Sequence, residues 1–426
     1  TSARRLKPYG RIRFRRFASS EQVSSRGSSL VLMMRLLQVG LASCLLLAAH
    51  AGTGDESCPN SACSTSARVL AENGGKAWTR SAEMYEYTSN ANPPMSEVPF
   101  KVFPPTLHQS GESRVIPFDI SSDLQVDYAA TCPNLLANFV RIVEGEQFNT
   151  GLELAATSQA FYIIRGKGKS RTRAGDIQWE AGDMFVLPYL GDAEPVCTSG
   201  GQCVSHSCSQ EASYGGCAIY WVHDEPLLQY LGVQPQGKRR FEPTFYRAAD
   251  MRATVANISN TDEHGNVRNR HGILLGNAAT PQTKTLTPTL WSLLNVIGAG
   301  SDQQPHKHNS VALDFAVVGG VNGTVYTKLG PELDEEGNIV NPIVAKWETG
   351  GVFITPPGWW HSHHNAGDHD AWVLPMQDAG VYTHQRTLDI RFAPAEASRI
   401  RSGKNRGATL DPDTTSATAN LYTAQE

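Results

Sequence analysis

The segments WEAGDMFVLP (residues 179–188) and WETGGVFITP (residues 347–356) share the frame W-E-x-G-x-x-F-x-x-P. In both, a glycine separates a tryptophan from a short apolar run that ends at proline. This pattern predicts a tight turn that leads into a buried β-strand. Because the frame occurs twice, we predict that the chain contains two copies of one β-rich unit.

The second copy carries histidines that the first copy lacks. His306 and His308 precede the second frame and His361 follows it, whereas the aligned positions of the first copy are apolar, namely Leu154, Ala156 and Ala193. On a strand, residues two apart face the same side, so His306 and His308 are expected to point into one interior. Neutral imidazole is a common ligand of divalent transition metals. The sequence therefore predicts a metal site in the second unit and a structural role for the first.

The composition favours a protein built mainly from strands. The chain has 426 residues, of which 38 are Gly and 24 are Pro, and short Val-, Ile- and Phe-rich runs alternate with turn residues. We predict an all-β fold with a few short helices. The formal net charge of −4 shows no basic excess, so we expect no nucleic-acid partner.

Residues 1–51 have the features of a leader followed by a signal peptide. Arg35 precedes the apolar run LLQVGLASCLLLAA and then Ala49-His50-Ala51, a small-x-small sequence typical of a cleavage site. The run is shorter than the roughly 20 apolar residues that a spanning helix needs, so we expect no stable membrane span. We predict the secretory pathway, either for secretion or as the first half of a plastid address. A basic transit extension is the alternative.

The repeats divide the chain into segments. Within the connector, FYRAADMRATVANI predicts a helix. The predicted segments are the leader and signal peptide (1–51), a loose N-terminal extension (52–113), the first unit (114–235), the connector (236–279), the second unit (280–395) and a disordered tail (396–426).

Four cysteines cluster in a Gly- and Ser-rich insertion of the first unit: Cys197, Cys203, Cys208 and Cys217. Their spacing does not fit the paired pattern of zinc sites, although His206 lies nearby. We therefore predict a loop held by disulfide bonds, which agrees with the secretory route.

Two stretches around the histidines match the two motifs of the cupin superfamily. They are Gly300-x5-His306-x-His308 and Gly350-x5-Pro356-x-Gly358-x2-His361-x3-Asn365. The duplicated arrangement resembles a bicupin. This resemblance implies two double-stranded β-helix (jelly-roll) barrels, with cupin 1 at 114–235, where the metal ligands are lost, and cupin 2 at 280–395. It also implies that the two units share a sheet edge, which would protect their edge strands.

The first motif departs from the cupin pattern in one respect. The family supplies a Glu four or five residues after the second His, but Ala312 and Leu313 stand there, and the nearest acid, Asp314, is expected to point in a different direction. Aligning residues 157–168 with 309–320 places Tyr162 opposite Asp314. Three histidines without the Glu resemble the gentisate and 1-hydroxy-2-naphthoate 1,2-dioxygenases, as do TLTPTLWSLLNVIGAGSDQQPHKHNS (285–310) and WWHSHHN (359–365).

This resemblance implies one divalent metal bound by His306, His308 and His361, with Fe(II) expected and Mn, Ni or Zn as alternatives. It also implies an extradiol-type cleavage in which the carboxylate and adjacent hydroxyl of an aromatic acid bind next to O2. The candidate catalytic residues are His363, Gln377 and Asp378. Residues that could bind the carboxylate or line the pocket are Arg268, Arg270, Arg386 and Trp360.

Two other functions remain open. The same ion could act as a Lewis acid in a lyase, isomerase or hydrolase on a small carboxylate, with Tyr326, Tyr382 or His384 as the base. A non-catalytic secreted bicupin is the third interpretation, and the retained histidines argue against it. Whether the chain forms a homo-oligomer is also open.

Overall fold

The computed structural model describes residues 81–152, 154–191, 196–197, 203–210, 215–258 and 270–393. The predicted signal peptide and disordered tail, together with Cys58, Cys63 and Arg268, lie outside these residues. The chain divides into two compact parts, Thr1–Pro93 and Pro94–Glu426. In the part that ends at Pro93, helix α1 (Tyr87–Asn90) begins after Glu86, whose carboxylate accepts the N–H groups of two residues in the first turn of the helix.

The part from Pro94 onwards contains both barrels, and its helices are short. These are α2 (Thr106–Gln109), α3 (Ser121–Leu124), α4 (Glu225–Leu231), α5 (Ala248–Ala256) and α6 (Ala379–Gln385). Helix α5 lies where the connector sequence predicts it. Among the described residues, no helix is both long and apolar enough to cross a lipid bilayer.

The first barrel consists of two antiparallel sheets whose facing side chains form an apolar core. Strand β1 (Val102–Phe103) precedes it in the chain and belongs to the other barrel. The six-stranded sheet has the order β11-β8-β5-β10-β3-β2 and the four-stranded sheet the order β4-β9-β6-β7. The strands are β2 (Arg114–Pro117), β3 (Leu136–Ile142), β4 (Gln147–Thr150), β5 (Ser158–Arg165), β6 (Lys167–Thr172), β7 (Gly175–Glu180), β8 (Met184–Pro188), β9 (Val204–Cys208), β10 (Cys217–His223) and β11 (Thr244–Tyr246).

The second barrel repeats this plan. One sheet has the order β1-β19-β16-β21-β13-β12, and the other has the order β18-β17-β20-β15-β22 with β14 paired to β20. The strands are β12 (His271–Leu274), β13 (Trp291–Ile297), β14 (Ser301–Asp302), β15 (His306–His308), β16 (Ala312–Val318), β17 (Val325–Gly330), β18 (Ile343–Lys346), β19 (Val352–Thr355), β20 (Trp360–Asn365), β21 (Ala371–Gln377) and β22 (Ile390–Phe392). The predicted all-β bicupin fold is confirmed.

The end of the predicted loose extension is packed against the second barrel. Strand β1 pairs with β19, and the side chain of His108 is buried with its Nε2 atom 3.0 Å from the carbonyl oxygen of Gly350. The sequence prediction was wrong for this part because a two-residue edge strand leaves no periodic pattern to recognise.

The repeated W-E-x-G frame forms the same turn in both barrels. Gly182 and Gly350 have φ values of 91° and 86°, which a glycine adopts without strain. Their N–H groups donate to the carbonyl oxygens of Ile163 and Ala316, both over 2.8 Å. These matched bonds make Ile163 equivalent to Ala316, and hence Phe161 equivalent to Asp314. The sequence alignment was therefore wrong by one residue here, because it matched Gly168 with Gly320, whereas the strand register, which shifts at the same place in both barrels, fixes the match one residue away.

The two six-stranded sheets pack face to face. The rings of Tyr220 and Phe315 stack at 5.2 Å, and the Tyr220 hydroxyl donates to the carbonyl oxygen of Leu313 over 3.3 Å. One apolar cluster contains buried side chains of both sheets. The expected shared sheet edge is therefore wrong, since packing by faces buries far more apolar surface.

Two buried aspartates connect the barrels reciprocally. Asp224 follows β10 and accepts a hydrogen bond from Thr289 at the second barrel over 3.0 Å. Asp378 follows β21 and accepts one from Asn134 at the first barrel over 2.7 Å. The other oxygen of each carboxyl accepts backbone N–H groups of its own barrel. Such matched contacts fix how the two barrels pack together.

The predicted disulfide-bonded loop is confirmed in the first barrel. The pairs are Cys197–Cys203 and Cys208–Cys217, with Cα–Cα distances of 5.9 and 5.7 Å. Cys132 is a buried free thiol.

Candidate metal centre

Three histidines meet inside the second barrel. Antiparallel pairing of β15 with β20 sets His306 opposite His361, and their ring centroids are 4.0 Å apart. The ring of His308 lies 4.8 Å from that of His361. One ring nitrogen from each histidine lies within 4.8 Å of the other two, and no other trio of His, Cys, Asp or Glu in the described part of the chain comes so close. The structure thus brings together the three residues that the sequence nominated.

Hydrogen bonds set the tautomers of two of these rings. Nδ1 of His308 lies 2.8 Å from the carbonyl oxygen of Ser310, and Nδ1 of His361 lies 3.1 Å from that of Trp359. A carbonyl oxygen only accepts, so each Nδ1 carries the hydrogen and each Nε2 keeps a lone pair. Nε2 of His308 is buried without a hydrogen-bond partner. A bound divalent metal would satisfy this nitrogen, so the donor set fits a metal ion.

The three rings are neutral at neutral pH. Burial lowers the pKa of His308 to about 4. Burial is also the main cause that pushes the pKa values of His306 and His361 well below the usual histidine value. Neutral imidazole is the form that binds metals.

His363 also reaches the interior, and its Nδ1 faces a hydroxyl group. Trp347 Nε1 donates to Thr327 Oγ1 over 2.8 Å, and the same hydroxyl lies 2.8 Å from Nδ1 of His363. Because an indole nitrogen only donates, Thr327 accepts there and its own hydrogen is available for Nδ1. When Thr327 donates to Nδ1, Nε2 of His363 carries the ring hydrogen. In that form Nε2 cannot ligate a metal, but it can donate to a ligand.

The first barrel contains the same relay. Trp179 Nε1 donates to Ser170 Oγ over 2.7 Å, and Ser170 Oγ lies 2.7 Å from Nδ1 of His206. Nε2 of His206 lies 2.9 Å from the hydroxyl of Thr150, which can accept its hydrogen. The tryptophan of each repeated frame therefore holds a buried histidine. The sequence carried a signal for this relay in the two aligned tryptophans, but their partners are far away in the chain.

A cavity of about 420 Å³ lies beside the histidines. This volume is within the range of small-molecule pockets. Most of its wall is apolar, formed by Ile273, Leu274, Trp291, Leu293, Pro375, Leu388, Ile390 and Phe392. The polar lining residues beside the metal histidines are Arg270, His271, Gln282, Thr283, Lys284, Asn295, Asp314, His363, Gln377 and Thr383.

Asp314 lines the same cavity as the histidines, so the prediction that it points elsewhere is wrong. Residues 312 and 314 lie on one face of β16, and Leu313 lies on the other face against the first barrel. The carboxyl is buried, and Thr355 Oγ1 donates to its Oδ2 over 2.5 Å. Burial raises the pKa of Asp314 to about 7, against the opposing effect of the Thr355 bond.

Arg270 is the predicted arginine that the structure places at the cavity. Its guanidinium donates to Gln303 Oε1 and to the carbonyl oxygen of Gln304, and it lies over the Phe392 ring at 5.2 Å. These contacts fix the charge in position. Arg386, in contrast, is exposed and donates to the carbonyl oxygen of His384.

The two remaining predicted catalytic residues have different surroundings. Gln377 lines the cavity, and its Oε1 accepts a hydrogen bond from Ser310 over 2.9 Å. Asp378, one residue later, has its carboxyl in the contact with Asn134 at the first barrel. Two other nominated residues are not among those that line the cavity. Tyr326 stacks on His364, and Trp360 lies under the ammonium group of Lys307.

Aromatic rings fill the corresponding interior of the first barrel. Phe161 stacks on Phe185 at 4.7 Å and on Trp221 at 5.7 Å. Phe161 occupies the position of Asp314, and Trp221, its neighbour on β10, occupies that of Pro375 on β21. The first barrel has a packed core where the second has the histidine-lined cavity.

The sequence matches no protein-family model and no curated protein. The structure is similar to solved structures of a salicylate 1,2-dioxygenase from Pseudoaminobacter salicylatoxidans. A variant of that enzyme in complex with gentisate matches with a TM-score of 0.53 and 12% identity over 81% of this chain and 99% of that chain. Another structure of the enzyme gives a TM-score of 0.51 and 14% identity over 80% and 99%. At such identity the likeness shows the fold: this chain has the bicupin fold, with the same two-barrel architecture as salicylate 1,2-dioxygenase.

Proposed function

We propose that this protein is an Fe(II)-dependent dioxygenase that opens the ring of a hydroxylated aromatic carboxylic acid. The observation that carries the proposal is the cluster of three neutral imidazoles beside a largely apolar cavity with a fixed guanidinium in its lining. The fold similarity to salicylate 1,2-dioxygenase supports it.

His306, His308 and His361 would hold the ion through one ring nitrogen each. When bound, Fe(II) supplies positive charge for a chelating carboxylate and hydroxyl, and the redox chemistry for O2. Three neutral ligands suit an anionic substrate because they leave the full charge of the ion uncompensated.

The chain's own residues would bind and orient the acid. The apolar wall packs against the ring and excludes water, which strengthens the polar contacts. Arg270, held by Gln303 and Gln304, offers its charge to the carboxylate without having to be reordered. His363, held by Thr327, donates its Nε2 hydrogen to an oxygen of the bound acid.

Oxygen consumption tests this proposal. The metal-free chain is loaded with Fe(II) under nitrogen, and O2 uptake is followed after adding salicylate, gentisate or 1-hydroxy-2-naphthoate. We expect one O2 consumed per molecule of at least one acid, with loss of the aromatic absorbance. The His361→Ala variant serves as the control without a complete metal site. An iron-loaded protein that consumes no O2 with any of the three acids would contradict the proposal.

A lyase or isomerase that uses the metal as a Lewis acid is the second candidate. It is favoured by Asp314, because a carboxyl with a pKa of about 7 in the cavity suits proton transfer. The distinguishing experiment repeats the incubation without O2 and with Mn, Ni or Zn, and follows the acids by NMR. Product formed under these conditions would favour this candidate over the dioxygenase.

A further inference from the structure

The carboxyl of Asp314 is an unusual group for a cavity proposed to bind an anion. Its side chain is buried, and most of the surrounding cavity wall is apolar. A buried carboxylate is unfavourable unless hydrogen-bond donors satisfy its oxygens. Within the described chain, the structure gives it one such bond, from Thr355 to Oδ2. The other oxygen is therefore available to a ligand.

Arg270 and Asp314 lie at different places in the cavity. The charge of Arg270 lowers the pKa values of His306, His308, His361 and His363, so the guanidinium lies on the histidine side. Asp314 is on β16 of the opposite sheet, where burial raises its pKa against the lowering effect of the Thr355 hydrogen bond. A ring whose carboxylate is bound on the histidine side can thus present a different substituent to Asp314.

The fold does not require a carboxyl at this position. Phe161 occupies it in the first barrel and packs there against Phe185 and Trp221. In the part of the chain that the structure describes, the carboxyl of Asp314 accepts its hydrogen bond from Thr355 of its own barrel, whereas that of Asp378 accepts one from Asn134 at the first barrel. Its distinguishing property is that it presents a hydrogen-bonding oxygen to the cavity.

We propose that Asp314 determines substrate specificity by accepting a hydrogen bond from a donor substituent on the ring, a phenolic hydroxyl or an aromatic amine. This inference rests on the proposed function, because it takes the bound molecule to be an aromatic acid. The substituent is separate from the carboxylate and the adjacent hydroxyl that face the metal. A methoxy group at the same ring position has no hydrogen to donate, so the second oxygen of the Asp314 carboxylate is left without a hydrogen bond.

Ligand binding without turnover tests this inference. The Fe(II)-loaded protein is titrated calorimetrically under nitrogen at pH 8, above the pKa of about 7. The probes are 2,3-, 2,4- and 2,5-dihydroxybenzoate, each paired with the acid whose second hydroxyl is methylated, and salicylate as the ligand without that substituent. We expect at least one hydroxyl to be preferred over its methoxy partner by about 10-fold or more.

The Asp314→Leu variant should lose this preference and still bind salicylate and one metal per chain. Thr355→Val should reduce the preference less, because it removes only the bond that orients the carboxyl. If Asp314→Leu does not fold, Asp314→Asn replaces it: the amide can donate to a methoxy oxygen, so the preference should also shrink.

Three results would overturn the inference: equal affinity within every pair for the unchanged protein, an unaltered preference in the Asp314 variant, or no binding of any probe. The first two outcomes are separable from failure of the dioxygenase proposal, whereas no binding of any probe would contradict both. A protein that discriminates within a pair but consumes no O2 would contradict the proposed reaction and leave the role of Asp314 intact.

Discussion

The two barrels share a sequence frame and the contacts around it, but they differ in their interiors. Both have the glycine turn after the repeated tryptophan, the relay from that tryptophan to a buried histidine, and an aspartate that reaches across to the other barrel. The first interior is filled by stacked aromatic rings, whereas the second contains three imidazoles and a cavity. The shared features therefore belong to the fold, and the differences mark the site.

This comparison also separates two kinds of buried histidine. Nδ1 of His206 and Nδ1 of His363 each form a hydrogen bond with a hydroxyl that accepts from a tryptophan. In the first barrel Nε2 has a protein partner, Thr150, whereas His363 lines a cavity. One local structure thus serves packing in one barrel and is available for ligand binding in the other.

Asp314→Phe gives the second barrel the aromatic residue of the first and should have the largest effect. The phenyl group would occupy the cavity, so we expect kcat/KM for the best acid to fall by about 100-fold or more, since the substrate no longer fits. Steady-state O2 uptake measures this loss. Metal content is the control and should remain at one ion per chain, because the three histidines are untouched. Activity retained within threefold would show that the cavity is not the substrate site.

His363→Leu and His206→Leu form a matched pair. His363→Leu should lower kcat/KM by about 10- to 100-fold with the metal retained, because it removes the hydrogen-bonding nitrogen Nε2. His206→Leu should leave kinetics unchanged and lower the free energy of unfolding by about 1–3 kcal/mol, because Ser170 and Thr150 lose their partner. Kinetics and urea unfolding of both variants provide the comparison. Equal kinetic effects in the two would refute the distinction between the barrels.

Asp224→Asn and Asp378→Asn test the reciprocal contact. Both should destabilise the fold by about 1–3 kcal/mol, because buried donors across the barrel contact lose a charged acceptor. Thermal unfolding measures the stability, and O2 uptake measures the kinetics. For Asp378→Asn, an activity loss of 100-fold in fully folded, metal-loaded protein would instead support its predicted catalytic role.

The smallest expected effect is the pH dependence of the stability that His206 contributes. Burial lowers the pKa of His206 to about 3, so the unfolded chain binds more protons than the native one between that value and about 6.5. The contribution of the neutral His206 ring to the free energy of unfolding is present above pH 6.5 and is lost as the pH falls towards 3. The stability difference between unchanged protein and His206→Leu should therefore shrink by up to about 2 kcal/mol from pH 6.5 to 5. Urea unfolding of the metal-free proteins measures it, and a pH-independent difference would contradict it.

The repeated frame predicted two copies of one β-rich unit, the histidine spacing predicted the metal site, and the resemblance to the cupin motifs identified the fold and the three ligands. The first two predictions depend on local pattern: the strand period of two set His306 and His308 on one face, and the frame located the strand before His361. The disulfide-bonded loop followed from cysteine spacing in the same way.

The sequence could not show contacts made between distant strands. The match of Asp314 with Phe161 depends on strand pairing, which an alignment based on shared glycines does not show. The packing of β1 on β19 and the relay from Trp347 to His363 join residues with no shared local pattern. These are the features that tertiary structure alone determines.

Metal content per chain is the most direct test of the central claim that the second barrel alone is a metal site. Protein reconstituted with Fe(II) under nitrogen and then desalted should retain one ion per chain by elemental analysis. His206→Leu should retain the same amount, and His308→Ala should retain almost none. An equal number of metal ions per chain in His308→Ala and in the wild-type protein, or no metal bound by the wild-type protein, would contradict the account.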